Sequence, residues 1–350
     1  MKTIIPIIVA MALALASCQS GNTRNGEKYG GTLRVNISDI PHIIFPGQVE
    51  KRSEQIIVSQ VYDGLLKYNP KTLDIVPSLA KSIELSDDSL AYTFLLNTQA
   101  RFQDDSCFAN GIGRTIIAND IKYSIEQICR NRLADSLPIS SQVGNIAGYN
   151  DFLLDNSLGI TGISAKNDSV IIVRLDKPDS RLLQFLAGTD ALVFAREAFD
   201  AYGTNGTVGS GAFRLDKPEY KGQPVTLAYN PNYWKMSRQK EQLPYLDSLI
   251  FTFATSAQKE LNMFSSGKTN VVFDLPADYL TDFMESNIES FQCNPPLFML
   301  TNTVNSDNDK RFNLQTADIQ GLNINSQNCF DFSEVYFKAP EPHTIVVNQE

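Results

Sequence analysis

The chain has 350 residues, 43% of them hydrophobic and 20% charged, enough to bury a sizeable core in one large domain or two smaller ones. Lys and Arg number 30 against 39 Asp and Glu, a formal net charge of -9. An acidic chain with no basic run repels nucleic acid and anionic lipid surfaces, so neither is an expected partner of the fold as a whole. Its two histidines, His42 and His343, lie far apart and without ligand-like spacing to the cysteines, so neither a metal site nor a cofactor is expected.

The N-terminus carries the sharpest short signal. Lys2 precedes an apolar run from Ile4 to Ala16, and small residues lead to Cys18. The run is too short to span a bilayer, which takes about 20 residues. It has the layout of a secretory signal peptide over residues 1–17. Leu15-Ala16-Ser17-Cys18 resembles a bacterial lipobox, which implies acylation of Cys18 and anchoring of the mature chain to a membrane. Residues 18–28 are polar, rich in Gly and Asn, and read as a flexible tether. Export places Cys107, Cys129, Cys293 and Cys329 in an oxidising compartment. They are either paired, nearest neighbours first (107 with 129, 293 with 329), or buried free thiols. Four cysteines allow three pairings, among which the sequence does not choose.

The fold is expected to begin at Tyr29. Residues 30–37 alternate apolar and polar and predict a strand. Ser53–Leu66 has apolar residues at helical spacing, with Gly64 loosening its end. Asp63, between Tyr62 and Gly64, reads as a surface or turn residue. Leu79–Leu85 reads as a short helix-to-strand passage and Ala91–Leu96 as a strand, split by the turn Ser86-Asp87-Asp88. Thr115–Ile128 is the clearest amphipathic helix, with Ile121, Ile125 and Ile128 on one stripe and Asn119 or Asp120 as cap. Two strands are expected within 160–175, helices at 179–186 and 196–201, and strands at 225–229 and 249–253. A helix follows at 257–264 and a short buried strand at 271–273. From Asn305 the sequence turns polar and Asn-rich; only 335–337 and 344–347 read as strands beyond it. Strands and helices without a regular βαβ alternation predict an α/β fold with mixed sheets.

Eight stretches, in order, resemble the solute-binding lipoproteins of peptide and nickel ABC transporters. They are GGTLRVNIS, VSQVYDGLLKYNPKTLDIVPSLAKSIELSDDSLAYTFLL, ARFQDD, IIANDIKYSIEQI, GISAKNDSVIIVRLDKPDSRLLQFLA, VGSGAFRL, NPNYW with LPYLDSLIFTF, and SSGKTNVVFDLPADYL. No one of these motifs is specific; their order and spacing are. Asp105-Ser106-Cys107 and Ala212 depart from the family pattern. The resemblance covers residues 29–300 and implies a periplasmic-binding-protein-like lobe with flanking helices. The second lobe is expected to be truncated or absent, and residues 301–350 to form an atypical, partly disordered tail.

The site candidates are few. Gly209, Ser210 and Gly211 fall in a Gly-x-Gly that runs into a strand rather than a helix, which rejects a phosphate loop. The two glycines serve either as a backbone wall beside a ligand or as a tight entry into the strand. Tyr123, Ser140 and Ser141 are further candidates for polar ligand contacts. Tyr233 and Trp234 read as packing residues rather than a stacking platform. No Gly-x-Ser-x-Gly elbow or Ser–His pairing is legible, so no enzymatic role is expected. The sequence thus predicts a lipid-anchored solute-binding protein on the periplasmic side of a bacterial envelope. It would capture a small peptide or similar solute for an ABC transporter permease. The alternative is a one-lobed structural or interaction lipoprotein without transport function.

Overall fold

The computed structural model describes residues 24, 26–42, 44–131, 142–216, 224–254, 256–276, 278–279, 298–304, 310–316, 318–322 and 330–338. Cys18, Ser140, Ser141, Cys293, Cys329, the signal segment and the expected strand at 344–347 lie outside the described residues.

The elements in chain order are β1 (Thr32–Ile37), α1 (Arg52–Val61), β2 (Leu66–Tyr68), β3 (Ile75–Pro77), β4 (Ala80–Leu85) and β5 (Ala91–Leu96). Next come α2 (Ala118–Asn131), α3 (Tyr149–Leu153), β6 (Ile163–Asn167), β7 (Val170–Arg174), α4 (Arg181–Ala187) and α5 (Arg196–Tyr202). The chain continues through β8 (Phe213–Leu215), β9 (Val225–Tyr229), β10 (Ser248–Phe253), α6 (Ala257–Ser265) and β11 (Val271–Pro276). It closes with β12 (Phe298–Val304), β13 (Lys310–Thr316), β14 (Ile319–Gln320) and β15 (Tyr336–Phe337).

A seven-stranded mixed sheet, ordered β12-β13-β11-β1-β10-β9-β8, forms the body. β1 lies near its centre, parallel to both β10 and β11. The alternation that predicts this strand buries Leu33, Val35 and Ile37. Asn36 is buried too, because it is fully used: its amide donates to Glu260 on α6 at 2.8 Å, and its carbonyl oxygen accepts from Thr252 at 3.2 Å. A four-stranded antiparallel sheet, β4-β5-β7-β6, is the second large sheet. α2 packs against its β6 and β7 strands through the stripe Ile121, Ile125 and Ile128, all buried as the helical period requires.

Local chemistry sets the helix ends. Glu54, buried in the first turn of α1, accepts from the backbone N–H groups of Lys51 (3.1 Å), Glu50 (3.0 Å) and His42 (2.7 Å). It satisfies backbone donors of the segment that enters the helix. Asp120 accepts from the Ile117 N–H at 2.9 Å and caps α2 from inside its first turn. Arg114 then forks Asp120 (2.7 Å) and Glu197 (2.7 Å), tying α2 to α5.

Several expectations are corrected. The first helix ends at Val61, not Leu66; Gly64 bridges to Leu192 and the chain enters β2. The expected passage at Leu79–Leu85 is a strand from Ala80. Lys310–Thr316 is a strand between β12 and β11, where the polar composition suggested none. Phe330, Phe332 and Val335 are buried in the core. Cys107 and Cys129 are free thiols and do not pair with each other. Burial pushes both thiols up to about 12.

Candidate functional site

The end of α1 and the loop 230–236 meet at Asp63. The sequence reading placed Asp63 at a surface turn, yet its side chain is only 9% exposed. The Lys235 ammonium donates to its Oδ1 at 2.6 Å. The Ser210 hydroxyl and the Trp234 indole N–H donate to its Oδ2 at 3.0 and 3.2 Å. Lys235 also donates to the Ser78 hydroxyl at 3.0 Å. A buried carboxylate is tolerable only with such partners, since an unpaired charge there costs several kcal/mol, about the effective penalty per ion. Burial lowers the Lys235 pKa, and the Asp63 charge works against that shift.

A second ion pair stands beside the first. Lys67, on β2, donates to Asp331 at 2.7 Å. Asp331 is held in turn by the Ser333 hydroxyl and N–H. Burial alone would raise the Asp331 carboxyl, but Lys67 and Lys235 together outweigh it and hold it well below the usual carboxylate range. The Asp331 charge raises the Lys67 pKa. Gln60 fixes this segment: its amide donates to the Phe330 carbonyl at 3.0 Å, and its carbonyl oxygen accepts from the Phe332 N–H at 3.3 Å.

These groups border a cleft of about 310 Å³ between α1, β2 and the segment 184–192. Phe185, Leu192, Tyr233 and Phe330 give it apolar wall, and Gln55, Ser59, Gln142, Gln184 and Thr189 give it neutral polar groups. Two ion pairs, Asp63 with Lys235 and Asp331 with Lys67, lie on its border, and Asp190 adds a third carboxylate to the lining. A volume of this size suits a small solute, at the low end of the ~300–1,000 Å³ usual for ligand pockets. Asp63 already has three donors, so it is satisfied rather than poised as a base. Among the described residues, no group of three or more His, Cys, Asp or Glu is placed to hold a metal ion, and no helix is long and apolar enough to cross a membrane.

Of the site candidates read from sequence, Gly209, Ser210 and Gly211 lie beside this cleft rather than in its lining. Gly209 and Gly211 lie against the C-terminal end of α1. A Cβ on Gly209 would sit 2.2 Å from the Val61 carbonyl oxygen, and one on Gly211 2.3 Å from that of Gln60. The Gly211 N–H donates to the Val61 carbonyl at 2.9 Å, and the Gly209 carbonyl accepts from the Gln103 N–H at 2.8 Å. The glycines thus let β8 enter flush against the helix. Ser210, between them, touches the cleft only through Asp63. Tyr123 stands on α2 in an aromatic group with Phe194 and Phe199, away from the cleft lining. Sequence reasoning missed Lys67, Ser78, Lys235 and Asp331. The signal for Lys235 was adjacency to Tyr233-Trp234; for Asp331 it was the Phe-Asp-Phe alternation in an otherwise polar stretch.

A mixed-sheet lobe with a small cleft beside a helix end is the architecture of one half of a periplasmic binding protein. Listeria monocytogenes OppA bound to peptide superposes with a TM-score of 0.63 at 19% identity, covering 81% of this chain and 51% of that one. The model of the bacterial extracellular solute-binding proteins, family 5 (middle), matches residues 74–316, and the chain belongs to that family. Among curated proteins it is 25% identical over 293 residues to the peptide transport periplasmic protein SapA of Salmonella typhimurium, covering 79% of this chain and 50% of that protein. It is 24% identical to heme-binding protein A of Haemophilus influenzae, covering 76% and 49% respectively. The chain spans about half the length of these relatives.

Proposed function

We propose that the protein is an extracytoplasmic solute-binding lipoprotein that takes a small peptide or similar solute for an ABC importer and is anchored through Cys18. The observation that carries this reading is the cleft of about 310 Å³ walled by neutral amides and hydroxyls and bordered by two matched ion pairs. A peptide presents both N–H donors and carbonyl acceptors, and Gln142 and Gln184 can answer either. Lysines and carboxylates together on the border offer partners to both charged ends of a zwitterion. Relatives named for peptide transport support the same class.

The wall described here encloses a solute on one side. Fixing the solute costs entropy whether or not a second wall closes over it. Affinity of the chain by itself is therefore expected in the ~millimolar range, about -4 kcal/mol. Calorimetric titration with a di- and tripeptide pool tests the reading, with Gln184→Ala as the variant least coupled to folding, since Gln184 is exposed on α4.

A further inference from the structure

We infer that Arg24 and Lys28 clamp the chain onto one end of the seven-stranded sheet, and that this clamp turns that end toward the lipid surface. The inference rests on the reading of Cys18 as the acylated residue.

Both cations fall in the segment that composition alone describes as a tether, yet both are docked. The Arg24 guanidinium donates to the carbonyls of Tyr245 (2.7 Å) and Leu246 (3.0 Å) and to the Asp247 carboxylate (3.0 Å). It lies 4.0 Å over the Tyr229 ring, and its side chain is 14% exposed. Lys28 pairs with Glu241 at 2.8 Å and sits over the rings of Tyr245 and Tyr336. Tyr29 donates to the Gln242 carbonyl at 2.9 Å, and the Gly30 N–H to the Tyr245 carbonyl at 2.9 Å. The guanidinium thus shares its two terminal nitrogens between a carboxylate and two carbonyls while its face stacks on a ring, a use of fork and plane that lysine could not replace.

The clamp has a definite place. Tyr245–Asp247 leads into β10, whose Ser248 pairs in parallel with Thr32 at the start of β1. Arg24 and Lys28 therefore grip the N-terminal ends of both strands. The opposite end of the sheet is Ile37 beside Phe253, followed by the start of α6 with Gln258 exposed. Strands of six residues at about 3.3 Å each put the two ends about 20 Å apart.

Tether length then decides orientation. From Cys18 to Arg24 is six residues (24 minus 18). Fully extended, six residues reach about 20 Å; as a flexible coil they average roughly 13 Å. A chain free as far as Tyr29 would enter at the same end with nearly twice the contour, and so would favour that end less. The loop 237–240 next to Glu241, with Arg238 and Lys240 exposed, thus stands nearer the membrane than Gln258 does. The same end carries the cleft: the Tyr245 N–H donates to the Ser333 carbonyl at 3.1 Å, two residues from Asp331, and Lys235 opens the loop that Tyr245 closes. The clamp would present the cleft border on the side where a permease in the membrane receives a solute.

The test uses the full chain, expressed with its own N-terminus in a bacterial host and left in its membrane. Acylation of Cys18 is read by mass spectrometry. A photo-crosslinking benzoylphenylalanine is placed at Lys240 or at Gln258, and covalent phospholipid adducts are counted. Adducts are expected at 240 over 258 by roughly fivefold or more, since local concentration falls steeply with tether length. Inserting twelve Gly/Ser residues (about 40 Å of contour) between Gly21 and Asn22 should erase the difference without touching the fold. Arg24→Ala with Lys28→Ala should reduce it. Acylated protein with equal adducts at both positions, or a preference that survives the insertion, overturns the orientation alone. An unacylated Cys18 overturns the lipoprotein reading and this inference with it.

Discussion

Lys235 and Asp63 lie 172 residues apart in the chain and 2.6 Å apart in the fold, and the floor of the cleft hangs on that pair. Their side chains are 16% and 9% exposed, so neither charge can fall back on bulk water. Removing one partner of such a pair typically costs about 3–5 kcal/mol, because the other is left buried and uncompensated. Asp63→Ala is expected to reach that range, since Ser210 and Trp234 lose their acceptor as well. Urea midpoints of Asp63→Ala, Lys235→Met and the double variant check it; the double should be less destabilised than the two singles summed.

Gly209→Ala and Gly211→Ala are expected to destabilise by about 1–3 kcal/mol or more, the range for forcing extra atoms into a packed interior. The obstacles are backbone carbonyls of α1, at 2.2 and 2.3 Å, which cannot rotate aside. Ser210→Ala should cost less, about 1 kcal/mol for a lost hydrogen bond to a carboxylate that keeps two other donors. Thermal denaturation of the three variants gives the order. A stable Gly209→Ala protein would mean that β8 does not pack flush on the helix.

Burial pushes the Glu260 carboxyl up to about 7, and the hydrogen bond from Asn36 only partly offsets it. Unfolded, the same group titrates near the ordinary glutamate value, about 4.3. Between these values the folded chain holds more protons than the unfolded one, so stability falls as pH rises through this window. The loss is of order 4 kcal/mol across the window, at about 1.4 kcal/mol per pH unit. Glu260→Gln keeps an acceptor for Asn36 and removes the titration. It should flatten stability between about pH 4 and 7, the window set by these two values, and stabilise the protein most at the alkaline end. Chemical unfolding at a series of pH values reads both effects.

The large elements were legible because their signals are local. The Ile121, Ile125, Ile128 stripe and the alternation of Leu33, Val35 and Ile37 each announce one buried face within a few residues. β2 and β3 have three residues each, too few for a period to show. β13 carries a polar sequence yet sits between two strands, where backbone hydrogen bonds rather than apolar periodicity hold it. The cleft was the least legible part, because its charges come from β2, the loop before β10 and the segment after β14. Asp63 looks like a turn residue until Lys235 arrives from the far side of the chain. The glycine pair was visible, but only the fold shows that its neighbour is a helix end.

The cleft itself is put to the most direct test by titration calorimetry of the purified chain with di- and tripeptides, run beside Ala187→Phe. Ala187 is half-buried at the end of α4 and lines the cleft, so a phenyl ring there fills solute space at little cost to the core. Saturable binding in the ~millimolar range, lost in Ala187→Phe while its unfolding midpoint stays near that of the parent, is the predicted result. No binding by the parent chain, or binding that Ala187→Phe leaves intact, would contradict the assignment of this cleft as the solute site.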